Sequence, residues 1–150
     1  MQLLRVISSF TLAHSVTLAL AAFDVVRPPA TIVEPVIALS IVFVGINTLY
    51  LKEHSPDRRI VFAFCFGLIH GFGFANALRE MQLPTEALAW SLVSFNLGVE
   101  AGQACIVLAI APALALLHRW RPAIAHRTVL AASSFVIFAG AYWFLERVFG

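Results

Sequence analysis

A chain of 150 residues that is 61% hydrophobic and 12% charged, with mean hydropathy +0.90, carries roughly half the charge of a water-soluble domain. That composition marks an integral membrane protein and leaves no room for a separate soluble domain, enzymatic or otherwise. The net charge of +2 is gathered in short gaps between apolar runs, so it bears on membrane topology and not on nucleic-acid binding.

Five runs are long enough to cross a hydrocarbon core, which takes roughly 20 helical residues. They lie at about 3–23, 35–52, 59–78, 87–111 and 128–146. The first contains Arg5 and Ala19-Leu20-Ala21, features shared with cleaved signal peptides. Its middle holds Thr11, His14, Ser15 and Thr17, a poor signal core, so it is read as a retained span. The second follows Arg27-Pro28-Pro29, with Glu34 directly before Pro35 at the expected helix start. Acidic residues and proline both suit a first turn. The third follows Ser55-Pro56-Asp57-Arg58-Arg59, and the fourth follows Leu83-Pro84-Thr85. Pro112 is expected to end or kink the fourth near an interface, with a gap at His118-Arg119-Trp120-Arg121-Pro122 before the fifth. Trp90, Trp120 and Trp143 sit near predicted ends, as interfacial aromatics do. The fold class is therefore all-α: one polytopic membrane helix bundle over 1–150 with about five spans. Its repeat-like halves cover about 3–52 and 59–111, and a final helix covers about 128–146.

Loop charges predict the sidedness. The N-terminus and the second and fourth connections hold Arg5, Lys52, Arg58, Arg59, Arg119, Arg121 and Arg127, while the opposite side holds Arg27, Arg79 and Arg147. Positive charge stays inside, so the N-terminus is expected in the cytoplasm and the C-terminus outside, across a bacterial-type inner membrane. Cys65 and Cys105 both lie in apolar stretches without a C-x-x-C pattern, and are expected to be small packing residues.

A motif occurs twice. Phe10-Thr11-Leu12-Ala13-His14-Ser15 and Phe66-Gly67-Leu68-Ile69-His70-Gly71 each place a histidine within an apolar run. Val33-Glu34 and Val99-Glu100 then repeat a V-E-x-x-x-A pattern. Parity makes the first and third spans parallel, and each histidine lies about eleven residues, or about 16 Å, into its helix. Both imidazoles are thus expected near mid-membrane, facing one cavity. Charged groups at that depth cost about 2.5–3.5 kcal/mol on insertion scales, so they tend to mark function. The plain alternative is a histidine that hydrogen-bonds a neighbouring helix. Asn96, Glu100 and Gln103, spaced i, i+4, i+7, form one face of the fourth span and must meet a cavity or a helix. A carboxylate there needs a metal, another cation or His70 beside it, or serves as a neutral interhelical hydrogen-bonding group. Glu34 is either a helix-start acid or a cation-recruiting group at the outer mouth. Asn47 is read as an interior residue, and Ser40, on its face, as packing. Gly67-x-x-x-Gly71 and Gly98-x-x-x-Gly102 are close-approach seams. They are expected to bring the third and fourth spans together, or to support a homo-oligomer or a larger membrane complex.

These segments carry a resemblance. The two His motifs, Val33 to Val44, and Phe95-Asn96-Leu97-Gly98-Val99-Glu100-Ala101-Gly102-Gln103 resemble the HupE/UreJ family, second group, over about residues 8–110. The resemblance implies a polytopic helical membrane protein of hydrogenase- or urease-accessory type and a metal permease activity, nickel foremost. Many members carry a further helix with a Gly-x-Asp-His-Leu-type motif ahead of the first His-Ser segment. This sequence starts at the equivalent of the second helix and lacks that pair.

The residues then suggest a permease or membrane metal-binding protein, not an enzyme. Neutral imidazoles of His14 and His70 suit a borderline divalent cation such as nickel. Glu100 would supply charge, Asn96 and Gln103 carbonyl oxygens, and Glu34 recruitment, with proton release from a coupled His70–Glu100 pair on metal entry. Two rivals use the same residues. One is a structural accessory subunit whose polar stripe only fixes helix packing. The other is a b-type haem protein with His14 and His70 as axial ligands. No G-x-S-x-G motif supports a membrane hydrolase.

Overall fold

The computed structural model describes residues 2–50, 58–80 and 84–150, with backbone alone at 2 and 75–80. Lys52, Ser55, Pro56, Asp57 and Leu83 lie outside the described residues. Five helices make up the architecture: α1 (Gln2–Ala22), α2 (Ala30–Tyr50), α3 (Arg59–Glu80), α4 (Thr85–Trp120) and α5 (Pro122–Phe149). No strand occurs among the described residues. Helices are what a chain must form where no water can satisfy its backbone groups. α1, α2, α4 and α5 are long and apolar enough to cross a membrane. α3 runs Arg59–Glu80, 22 residues, and its described apolar stretch is Arg59–Phe74.

Three boundaries differ from the sequence expectation. α2 starts five residues early, because the Pro29 carbonyl accepts from Ile32 and Val33 N–H (3.0 and 3.2 Å) and caps the helix there. Pro35 is therefore inside the helix and Glu34 is past its first turn. α4 runs through Pro112 to Trp120. Proline removes one backbone bond, but Ala113 to Leu117 are strong helix formers that continue the helix. At 1.5 Å per residue its 36 residues span about 54 Å, more than a hydrocarbon core. The expected gap before α5 shrinks to Arg121 (φ −143°, ψ 72°), with Pro122 in the first turn, where its missing N–H costs nothing.

α1 ends in a Schellman motif. Asp24 takes a left-handed φ of 62°, its N–H reaches the Ala21 carbonyl (3.2 Å), and the Val25 N–H reaches Leu20 (2.8 Å). The Asp24 carboxylate also pairs with Arg27 at 2.7 Å.

Neighbour relations follow from small residues. α3 lies parallel to α1, as parity predicts, with Gly67 against Phe10 and Ala13 and Gly71 against Thr17 and Leu18. A Cβ on Gly67 would sit 2.9 Å from the Ala13 Cβ, and one on Gly71 2.8 Å from the Leu18 backbone nitrogen. The Gly67/Gly71 seam thus serves α1, not the fourth span as expected. Gly98 and Gly102 have nothing within 4 Å, so their seam is open. α2 and α5 pack antiparallel through Gly45 on Ile137 and Gly140 on Val42, and Glu34 meets Arg147 at 3.0 Å beside that pair. α2 meets α3 through Phe43, which crosses Phe62 and Phe66 edge-on.

The buried core centres on α1: Ala13, Leu18 and Ala21 are almost fully covered, and Leu92 of α4 packs on Leu18, Ala21 and Ala22. The two sequence halves interleave, since α1 sits against α3 and α4. Cys65 and Cys105 are free and exposed, on the outside where lipid would lie, and not the packing residues expected.

Gly71→Ala should lower the thermal stability of the detergent-purified protein by about 1–3 kcal/mol, because its Cβ meets backbone that cannot turn aside. Gly98→Ala and Gly102→Ala should leave it within about 0.5 kcal/mol, since both face open space.

Candidate polar site within the membrane

Every helical turn of α1 between Ser8 and Thr17 offers a polar side chain, and the bundle sorts these by direction. Toward α4, Ser8 Oγ donates to Glu100 Oε1 at 2.8 Å, and Thr11 Oγ1 makes a long 3.5 Å approach to Gln103 Oε1. His14 Nδ1 lies 3.1 Å from Asn96 Oδ1. The i, i+4, i+7 stripe of α4 therefore faces α1, side chain for side chain. Ser15 and Thr17 turn back to their own helix, bonding the carbonyls of Thr11 (2.6 Å) and Ala13 (3.2 Å).

His70 projects from α3 and bonds the Phe66 carbonyl at 2.8 Å. Its ring crosses Phe10 edge-on at 5.5 Å, and the other side of this aromatic layer is His14, stacked on Phe10 at 5.8 Å. Phe74 and Phe95 close over His14 at 6.0 and 5.9 Å, leaving that residue only 2% exposed. The two imidazoles thus share one layer on parallel helices, with Phe10 in contact with both, but His70 lines a cavity that His14 does not, so they do not face one cavity as expected.

The hydrogen bonds assign both tautomers. A backbone carbonyl only accepts, so His70 Nδ1 must donate to Phe66. Asn96 Nδ2 donates to the Leu92 carbonyl at 2.9 Å, which turns its Oδ1 toward His14 and makes His14 Nδ1 the donor as well. In each neutral imidazole the lone pair is left on Nε2.

Other expected residues are placed elsewhere. Glu100 makes no ion pair with His70 or His14 among the described residues; it sits on the opposite side of α1 from His70, so the coupled His70–Glu100 pair is not formed. Glu34 faces Arg147 at the α2–α5 contact, remote from the imidazoles. Asn47 lines a cavity with His70 and Gln103, in keeping with an interior position, and Ser40, which bonds the Ile37 carbonyl at 2.6 Å, lines it too. Among the described residues no group of three or more His, Cys, Asp or Glu side chains gathers at metal-binding distance. Ser8 is the residue that sequence reading missed. Its spacing of three and six to Thr11 and His14 was the available signal, since those three share a face of α1.

The HupE/UreJ protein family model matches residues 1–147, wider than the 8–110 of the quoted motifs. The chain belongs to the HupE/UreJ family. Curated proteins and solved structures yield no match. As a HupE/UreJ protein it is a multi-pass membrane protein of a transport or accessory family, and the residues repeated in its sequence are those layered around Phe10.

Replacing Asn96 with Ala strands the His14 Nδ1–H in a buried site and should cost about 1–3 kcal/mol in thermal unfolding. Ser8→Ala, at an exposed position, should cost less than about 1 kcal/mol in the same measurement.

Proposed function

We propose that this HupE/UreJ protein is a membrane metal-ion permease, or membrane metal-binding protein, whose cargo is a nickel-like divalent cation held on His14 and His70. The observation that carries the reading is the matched tautomer pair: each Nδ1–H is tied to a carbonyl oxygen, which orients the ring and leaves Nε2 as a donor atom. Histidines built as metal ligands have this second-shell arrangement, and imidazole nitrogen suits a borderline divalent ion. Carbonyl oxygens of Asn96 and Gln103 and the carboxylate of Glu100 supply further oxygen along α4. Asn47 adds an amide in the cavity beside His70. Glu34, engaged with Arg147, acts at the outer mouth only when that partly exposed pair opens, which costs about 1 kcal/mol. The charge bias of the connections supports an N-terminus in the cytoplasm and a C-terminus outside, across a bacterial inner membrane.

A second reading has its own support. Among the described residues no buried side-chain nitrogen or oxygen lacks a hydrogen-bond partner, as suits an accessory subunit whose polar groups serve packing alone. Elemental analysis of the purified protein after nickel loading, with uptake of radioactive nickel by cells, separates the two. His70→Ala and His14→Ala should each lower bound nickel and uptake by roughly tenfold or more, the scale of losing a ligand or its orienting partner. Unchanged nickel in both variants, with the variants as monodisperse as wild type, would leave the accessory reading standing.

A further inference from the structure

Two cavities flank the imidazole layer, and their positions along the bundle differ. One, of about 700 Å³, touches α1 at Val6, Ile7 and Phe10, the first half of α3 from Arg59 to His70, and the second half of α2. With α1 and α3 parallel and α2 antiparallel, all of these lie toward the end where α1 begins. The other, of about 680 Å³, touches α1 from Ser8 to Phe23 and α4 from Ala89 to Glu100, and so extends toward the end where α1 finishes. Their linings do not overlap along α4, but beside α1 they share the depth from about Ser8 to Thr17, since His70 of the first adjoins Gly71, which packs on His14 and Thr17.

They lie on opposite faces of α1 but on one face of α4. At about 100° per residue, Ala89, Val93, Asn96 and Glu100 of the second cavity and Gln103 and Val107 of the first form a single stripe along α4. Between the cavities on that stripe lies one layer of side chains, Thr11 against Gln103, with the Ser8–Glu100 bond beside it inside the second cavity. Thr11 lines one cavity while Gln103 lines the other. The 3.5 Å Thr11–Gln103 approach is at the long limit of a hydrogen bond and is the weaker of the two.

The helix that would move to break this layer is also identifiable. α3 is locked to α1 by backbone-close glycines, whereas Leu92 is the one buried residue of α4 among those described. From these observations we infer that the two cavities are half-routes through the membrane and that the Thr11–Gln103 contact, with the Ser8–Glu100 bond beside it, is the closed gate between them. Separation of α4 from α1 at this layer joins the routes along the Asn96–Glu100–Gln103 stripe. The inference deepens the permease reading and rests on it for the identity of the cargo.

The test needs no metal. In the full chain carrying Cys65→Ser and Cys105→Ser, Asn47→Cys reports on the first cavity and Ser15→Cys on the second. A charged, membrane-impermeant thiol reagent is applied to one face at a time of oriented proteoliposomes. Asn47→Cys should react only from the face where α1 begins, and Ser15→Cys only from the other. Adding Gln103→Ala should raise reaction from the silent face by about two- to fivefold, the effect of one weak hydrogen bond lost. Retained reaction from the original face shows that this variant is folded. Thiols silent from both faces, thiols reactive from both with Gln103 intact, or no effect of Gln103→Ala each overturn the gate. A gate found in a protein that binds no nickel would overturn only the cargo, and nickel binding without a gate only the route.

Discussion

The backbone-close approach of α3 to α1 through Gly67 and Gly71 positions the polar groups around the two repeated histidines. Neither glycine tolerates a Cβ without displacing α1, because main-chain atoms of Phe10, His14 and Leu18 stand among the nearest atoms, beside the Thr17 hydroxyl and the Ala13 Cβ. Lipid offers no hydrophobic drive for helices to associate, so small residues that let backbones touch supply the packing. That contact sets α1 and α3 in parallel register, brings His14 and His70 into the layer of Phe10, and directs the remaining polar face of α1 to α4.

One consequence is a division of labour among the helices. α1 is the buried axis, with Ala13, Leu18 and Ala21 almost wholly covered. α2 and α5 form an antiparallel pair at its flank, joined by two further glycine contacts at Gly45 and Gly140. α4 is the longest helix and the least buried, and it meets α1 through three polar pairs and through Leu92 on Leu18, Ala21 and Ala22. A polar interface in a low-dielectric setting is specific in register, since each donor must find its acceptor. It is also narrow compared with the interdigitated α1–α3 seam, which makes α4 the natural moving part.

Much of the site was legible one helix at a time. The stripe of Asn96, Glu100 and Gln103 was visible from spacing alone, and so was the common depth of the two repeated histidines. Which stripe meets which helix was not. The two G-x-x-x-G seams look alike in sequence, yet Gly67 and Gly71 press on α1 while Gly98 and Gly102 face open space. Glu100 consequently meets Ser8 and not His70. Likewise Glu34 and Glu100 share a repeated motif but part company, one at the α2–α5 flank with Arg147 and the other at the α1–α4 contact.

By itself the sequence determined the membrane-spanning helical class, the parallel relation of α1 and α3, and the family. Each of these rests on composition, parity or local pattern, which are properties of a segment and of its place in the chain. Tertiary structure alone decided the partners: Asn96 for His14, the Phe66 carbonyl for His70, Ser8 for Glu100, and the stacking of two cavities along α4. It also carried α4 through Pro112 and began α2 at Ala30. Partner choice depends on how far each helix is rotated about its axis and slid along it, and packing against the other helices sets those two quantities.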